Sequence, residues 1–450
     1  MPTPKTLAAV IGAAALTALP LIGLSQGDAP AKQPPPAETR LPLEDLRSFA
    51  KVFEQIRQGY IEEVDDSTLL EYAIKGMLQG LDPHSAYLDR ESFDDLQANT
   101  TGEFAGLGIE VGIENEHVTV VTPMDDTPAA RAGLKSGDII LRLAGKSMRG
   151  VSLEEAVERM RGPIGSSVTL TIARKGYKEP FQVTIKRDKV RVPSVRGEFL
   201  EDGYGYLRIS QFQVDSGRDL ARALKKLRDE RELKGLILDL RNNPGGVLQA
   251  SVEVADAFLE EGLVVYTKGR NDSSNLRYSA EPGDLSDGTP LVVLINGGSA
   301  SAAEIVAGAL QDHRRAVVMG TDSFGKGSVQ TVIPISRDRA IKLTTALYYT
   351  PNGRSIQAQG INPDIEVERV KVTRLPSDSR TTEADLAGHL DNGNGGAERN
   401  AEDRAREKAQ REDWYGRDNQ IFEALNVLKG LNLYAQRDRL ERERLARLSQ

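Results

Sequence analysis

The sequence predicts an α/β protein with a sheet core in its middle, a strand-rich unit inserted ahead of that core, a helical segment before both and one further helix at the end. Three observations carry this. Residues 236–240 and 291–295 are short, continuous apolar runs of the kind that form strands buried on both faces. Ahead of these runs, Leu220, Leu224 and Leu227 make a helical stripe, while residues 204–212 alternate like a strand. With 450 residues, the chain has room for two or three domains, each with its own core.

Composition narrows the function. Charged residues make up 28% and apolar residues 39%, as in ordinary soluble domains. A net charge of −8 argues against nucleic acid, which wants a basic face. The absence of cysteine excludes a thiol nucleophile, disulfides and a lipid-modified N-terminal Cys. His84, His117, His313 and His389 include no pair at metal-ligand spacing, so neither a metal nor a cofactor is expected.

Each element then follows in order. Lys5 precedes an uncharged Ala/Leu/Ile-rich run over 6–26, with Gly23 and Ser25 as small residues before Gln26. Residues 1–26 are therefore a cleaved export signal or a retained membrane anchor, and either puts the rest of the chain outside the cytoplasm. A Pro/Ala/Gln-rich tether occupies 27–40 and helical spacing runs over 41–98, with Phe49, Val52, Phe53 and Ile56 on one stripe. The Leu81-Asp-Pro-His-Ser85 turn breaks it, and His84 there reads as a capping or packing residue. Residues 99–188 form the unit of short strands and 189–370 the α/β core. Dense mixed charge and Asn/Gly repeats over 371–417 mark a disordered linker. The stripe Ile421, Leu425, Leu428 and Leu431 makes 418–450 a helix. Isolated beyond a linker, that helix has nothing of its own to bury against and is expected to serve oligomerisation or partner binding.

Two segments of the inserted unit point to tail binding. Phe104-Ala-Gly-Leu-Gly-Ile109 joins glycines to apolar residues just before a strand, so that amides can turn inward and hold a carboxylate while a peptide adds as a strand. Thr127 to Ile140 reads as helix, glycine cap, turn and strand. Together they resemble a PDZ domain, with Phe104, Ala105, Gly106, Leu107, Gly108 and Ile109 as the peptide-binding residues.

Three segments of the core carry chemistry. Asn296-Gly-Gly-Ser-Ala-Ser-Ala-Ala-Glu304 runs from a strand into an Ala-rich helix, placing a serine where free amides and the helix dipole favour negative charge. Ser301 with Glu304 fits a capping box equally well, and Ser299 competes with Ser301. Lys326, flanked by Gly325 and Gly327, follows a buried-looking strand, and a lysine kept dry loses its proton and becomes a base for a serine hydroxyl. Gln330 has an amide with which to hold that side chain. Gly320 with Gly325-Lys326 also satisfies G-x-x-x-x-G-K, but Gly327 stands where a phosphate loop needs Ser or Thr and a strand pattern follows instead of a helix. Asn242-Asn-Pro-Gly-Gly246 ends a strand with amides able to face an oxyanion, or is merely a turn. His313, about three turns along the helix from Ser301, reads as a surface histidine.

Taken in order, the Leu81–Ser85 turn, the PDZ unit, Asp239-Leu-Arg-Asn-Asn-Pro-Gly-Gly246, Gly298-Ser-Ala-Ser-Ala-Ala-Glu304, Gly325-Lys-Gly-Ser-Val-Gln330, Tyr349-Thr-Pro-Asn-Gly-Arg354 and Gly360-Ile-Asn-Pro-Asp364 resemble the carboxy-terminal processing (tail-specific) serine protease family over roughly residues 41–370. The resemblance implies an α/β protease core with an inserted PDZ domain, Ser301 as nucleophile, Lys326 as base and Gln330 as its orienting residue. Oxyanion donors map to Ala302 and to the Gly245–Gly246 turn. It implies an endopeptidase for proteins with apolar C-terminal tails, working in the periplasm or on the outer face of the inner membrane. PDZ docking in that family gates the active site, and Arg161 to Gly165 offer a PDZ-to-core contact. An adaptor lipoprotein and a homo-oligomer are further expectations, set against the rival reading of a PDZ scaffold that binds tails without cutting them.

Overall fold

The structure, a computed structural model, describes residues 42–124, 126–371, 390 and 418–448. The leader and tether assigned to 1–26 and 27–40 lie outside the described residues, as does the linker at 371–417 apart from Lys371 and Leu390. The chain divides into two compact units, Met1–Tyr72 and Ala73–Gln450. The first holds helix α1 (Leu43–Gly59), whose apolar stripe is solvent-facing: Phe49 and Val52 are exposed, and no residue of the helix is buried. Helix α2 (Asp66–Gln79) begins in that unit and ends in the second.

The Leu81–Ser85 turn, strand β1 (Ala86–Leu88) and helix α3 (Arg90–Thr101) follow. Asp82 caps the turn, accepting the amides of His84 and Ser85 at 2.8 and 2.9 Å, so His84 sits in the structural turn expected of it. Strand β2 (Glu103–Gly106) then enters the PDZ unit. It is built of β3 (Ile109–Glu114), β4 (His117–Pro123), helix α4 (Pro128–Arg131), β5 (Ile139–Leu143), β6 (Lys146–Ser147), helix α5 (Leu153–Met160), β7 (Ser167–Ala173) and β8 (Phe181–Lys186). These strands form one antiparallel sheet over their own core of Val118, Val120, Ile140, Leu170 and Ile172. Strand β9 (Asp188–Arg191) leads out and pairs antiparallel with β2, so the chain enters and leaves the unit through a two-stranded ribbon.

The core continues with β10 (Val195–Glu201), β11 (Tyr204–Ile209), helix α6 (Ser216–Glu230), β12 (Gly235–Asp239), helix α7 (Leu248–Asp256), β13 (Gly262–Gly269), β14 (Arg277–Ala280), β15 (Leu291–Ile295), helix α8 (Ala302–Asp312), β16 (Ala316–Gly320), β17 (Ser328–Pro334), β18 (Ala340–Tyr349), β19 (Ile365–Glu366) and helix α9 (Asn419–Leu448). A central sheet runs β10-β11-β12-β15-β16-β19, parallel except where β10 meets β11. A second, antiparallel sheet runs β1-β18-β13-β14, with β17 also on β18.

Side-chain alternation explains the layers of the central sheet. Leu236, Leu238, Leu291, Val293 and Ile295 point to the face covered by α6, α7 and α8. Ile237, Val292, Leu294 and Met319 point to the other, where α9 buries Ile421, Ala424, Leu425 and Leu428 against them. This corrects the reading of the last helix as having nothing of its own to pack on. Its first half is the second covering layer of the sheet, and only Leu431 of the four stripe residues stays out, 40% exposed. Ser328–Pro334 is a strand, as the rejection of a phosphate loop requires.

Candidate active site

Strand β15 ends in a turn that delivers two serines, and their surroundings separate them. Ser299 is fully buried; its hydroxyl donates to the Leu240 carbonyl at 2.8 Å and accepts the Asn296 amide at 2.9 Å, so it braces the turn. Ser301 lines a cavity of about 340 Å³ together with Gly246, Ala302, Lys326 and Gln330. It is the N-cap of α8, with a backbone φ of 57° and ψ of −115°. That conformation costs an ordinary residue about 1–3 kcal/mol and marks a position where geometry outranks comfort. The turn holds it there because Gly245 is packed behind: a side chain on Gly245 would stand 2.7 Å from Ser301 Cβ.

The capping box is present, and its carboxylate does more than cap. Glu304 is fully buried, and its two oxygens take four donors: the amides of Ser301 at 2.7 Å, Gly325 at 2.7 Å and Lys326 at 2.9 Å, and the Ser323 hydroxyl at 2.6 Å. One side chain therefore pins the serine and lysine segments to each other. The glycines beside Lys326 have a packing reason. A Cβ on Gly327 would lie 2.4 Å from the Gln357 backbone nitrogen, and Gly325, at φ 88°, has the Gly360 nitrogen 3.1 Å from where its Cβ would be. The motifs at 349–354 and 360–364 thus frame the segment that cradles the lysine loop.

Lys326 is half-buried, and among the described residues its ammonium has neither a hydrogen bond nor an ion pair. Burial pushes its pKa below the usual lysine range; Lys342 pushes the same way, against a smaller opposite pull from Glu304 and Asp82. No hydrogen bond joins the Lys326 amine to the Ser301 hydroxyl in this structure. Gln330 lines the cavity but does not hold the lysine: its amide nitrogen donates to Ser328 Oγ at 3.0 Å and Thr344 Oγ1 at 3.3 Å. In place of the expected contact, that amide is engaged by two hydroxyls on the β17–β18 pair.

The turn expected to supply oxyanion donors is asymmetric. The Gly245 amide is taken by Asn243 Oδ1 at 2.9 Å, whereas the amides of Gly246 and Ala302 find no acceptor among the described residues. Gly246 and Ala302 both line the cavity, so Gly245 serves as packing against Ser301 and not as a donor. His313 is half-buried and held by the Leu263 carbonyl at 2.8 Å, not loose on the surface. Tyr348, which sequence reasoning missed, is 1% exposed and lines the same cavity as Ser301; its phenol donates to the Lys326 carbonyl. Burial pushes its pKa upward, so it stays neutral. Burial first, then the charges of Lys326 and Lys342, lower His84.

On the PDZ unit all six expected residues, Phe104 to Ile109, line one apolar groove of about 320 Å³, closed by Met124, Val157, Met160 and Val190. Gly108, at φ 77°, has Thr127 Cβ 2.2 Å from where its own Cβ would be, so only glycine fits. Arg161 at the groove stacks over Phe104 at 5.3 Å and reaches Asp95 of α3 at 3.4 Å, while Leu96 and Asn99 of the same helix line the Ser301 cavity. Of residues 161–165, Arg161 reaches out of the unit to the helix that enters it; among the described residues none of the five makes a hydrogen bond or ion pair to the 189–370 core, where the contact was expected.

An α/β core with a strained serine heading a buried helix, joined to a PDZ unit with an open apolar groove, defines a serine-type protease carrying a peptide-binding module. Residues 203–367 match peptidase family S41, 95–173 match the PDZ domain and 23–92 match the activating protease CtpB N-terminal domain. A carboxy-terminal-processing protease of Bartonella bacilliformis is 50% identical over 349 residues, covering 77% of this chain and 80% of that one. The carboxy-terminal processing protease CtpB of Bacillus subtilis is 36% identical over 355 residues, with 77% and 74% covered. A solved structure, the photosystem II D1 C-terminal processing protease, shares 31% identity over 71% of this chain and 87% of its own, with a TM-score of 0.43. This chain belongs to the carboxy-terminal processing protease family.

Proposed function

We propose that this protease cuts proteins near apolar C-terminal tails using Ser301 as nucleophile and Lys326 as general base, outside the cytoplasm. The observation that carries the mechanism is a lysine with no counter-charge contact facing the Ser301 cavity, its backbone tied through Glu304 to that of the serine. The neutral Lys326 amine takes the Ser301 hydroxyl proton as the oxygen attacks the scissile carbonyl. The Gly246 and Ala302 amides receive the oxyanion, at the positive end of α8. The Lys326 ammonium then returns its proton to the leaving amine, and water, deprotonated by the same amine, releases the acyl group. The serine–lysine approach tightens when substrate fills the cavity, as catalytic hydrogen bonds commonly do.

In this reading the groove at Phe104 to Ile109 holds the tail as an added strand, its carboxylate on the loop amides. Gln330 acts from Ser328 and Thr344, shaping the wall beside Lys326. Export rests on the apolar run at 6–26, and the substrates are envelope proteins. An adaptor lipoprotein and self-association remain part of the proposal. The test is Lys326→Ala, assayed on a tagged protein ending in small apolar residues. Turnover should fall at least about a thousandfold, with tail binding by the PDZ unit retained; unchanged turnover eliminates the proposed base. Fluorophosphonate labelling at Ser301 in the native enzyme separates a protease from a scaffold that only binds.

A further inference from the structure

The family match of the peptidase core ends at residue 367, yet two side chains beyond it reach Arg241, beside the turn that ends in Gly246. Strand β12 ends in Asp239, and two residues later Arg241 is only 8% exposed. Its guanidinium is shared by two carboxylates. Nε and Nη2 donate to Asp239 Oδ1 and Oδ2 at 3.0 and 2.7 Å. Nη1 donates to Asp418 Oδ1 at 3.0 Å and to Gln420 Oε1 at 2.8 Å, and Nη2 lies 2.9 Å from Asp418 Oδ2. Asp239 is otherwise held by the Tyr206 hydroxyl at 2.7 Å and faces Arg208 at 3.4 Å, so two cations and two anions balance.

Directly after Arg241 comes the turn that ends in Gly246. Asn242 is tied to Asn296 Oδ1 at 2.8 Å, the Asn243 amide nitrogen to the Ile209 carbonyl at 2.9 Å, and the Asn243 carbonyl to the Ala300 amide at 2.9 Å. The whole turn is therefore hung between the serine loop on one side and Arg241 on the other. Half of what fixes Arg241 comes from Asp418 and Gln420, which the docking of Ile421, Leu425 and Leu428 holds against the sheet.

We propose that Asp418 is a positioning residue for catalysis: by locking Arg241 it sets the Gly246 amide at the oxyanion site, which makes the start of α9 part of the catalytic frame. The proposal rests on the assignment of Gly246 and Ala302 as oxyanion donors. Asp418 also caps α9, accepting the Gln420 and Ile421 amides at 3.1 and 3.2 Å. Asn and Ser serve equally as caps, so Asp418→Asn and Asp418→Ser keep the helix start while removing the charge facing Arg241.

The experiment uses the full chain with these two variants, assayed well below each one's thermal midpoint. Three readouts are taken: kcat and KM on the tagged protein, affinity for a peptidyl boronate ending in alanine, and affinity of the PDZ groove for a fluorescent apolar-tail peptide. A shift of the donor by a fraction of an ångström should lower kcat about 10–100-fold. Boronate affinity should fall by the same factor, with KM within twofold and tail affinity unchanged. Wild-type kcat in both variants, loss confined to KM, preserved boronate affinity, or activity lost only in proportion to unfolded protein would each overturn the proposal. Should the wild-type enzyme bind the boronate no better than the matching amide peptide, the oxyanion assignment itself falls. With that preference intact and both variants unaffected, only the role of Asp418 falls.

Discussion

Replacing Glu304 by Gln removes one negative charge while keeping shape, and the structure sets the size of the effect. Each carboxylate oxygen takes two donors: Oε1 the Ser323 hydroxyl and Gly325 amide, Oε2 the Ser301 and Lys326 amides. An amide side chain keeps one oxygen and puts an NH2 group where the other stood, so either orientation turns two buried donors against a third. An unmade buried hydrogen bond costs about 1–3 kcal/mol, so the site loses about 2–6 kcal/mol in whatever mixture of unfolding and local displacement relieves it. If only half appears as displacement of Ser301 or Lys326, kcat/KM drops about 10–100-fold, since 1.4 kcal/mol is a factor of ten. The assay is cleavage of the tagged protein beside thermal unfolding of the same preparation. Glu304→Gln with kcat/KM within threefold of wild type and an unmoved midpoint would refute the bridging role, because two buried donors cannot lose their acceptor without a trace.

Two further outcomes follow from the same geometry. As the proposed base, Lys326 must be neutral to act, so the rate should climb as pH rises through its depressed pKa. Lys342→Gln removes a charge that disfavours the ammonium, raises that pKa and shifts the climbing limb of kcat/KM to higher pH, whereas Asp82→Asn shifts it lower; equal profiles for both would sink the electrostatic account. Gly327→Ala puts a methyl 2.4 Å from the Gln357 backbone nitrogen and should cost about 1–3 kcal/mol of stability together with most of kcat, checked by calorimetry and turnover on one sample.

The strands of the core were legible because burial on both faces leaves an unbroken apolar run, as at Leu291–Ile295, and burial on one face leaves alternation, as at Tyr204–Ile209. The groove residues of the PDZ unit were legible for a similar reason: a short apolar segment punctuated by glycines stands out, and one of them, Gly108, is forced by its backbone and by Thr127. What the sequence hid are partnerships made across long separations. Nothing local says that the stripe of α9 meets Ile237 and Val292, so the helix read as unpartnered. Ser299 and Ser301 share one local pattern, and only the Leu240 carbonyl, some sixty residues back, tells the brace from the serine at the cavity. Glu304 was visible as a cap, but its three other donors arrive from the lysine loop. Tyr348 looked like any strand tyrosine.

The odd pattern Gly-Lys-Gly then has a physical logic. A lysine serves as a base only if its ammonium is made costly and no carboxylate is left free to pair with it. The nearest buried acid is Glu304, which by itself would defeat the purpose. Its four lone-pair sites, however, are consumed by three amides and one hydroxyl, so it acts on Lys326 only through space. Those amides reach it because Gly325 and Gly327 let the loop lie flat on the segment from Ile356 to Gly360, where the Ala358 amide meets the Gly325 carbonyl at 2.8 Å. The carboxylate that holds the two segments in register is thereby kept from pairing with the amine proposed as the base. Side chains at 325 or 327 would lift the backbone amides away from Glu304, freeing an oxygen to pair with the lysine. The glycines thus keep the Lys326 amine free of a carboxylate partner as well as in position.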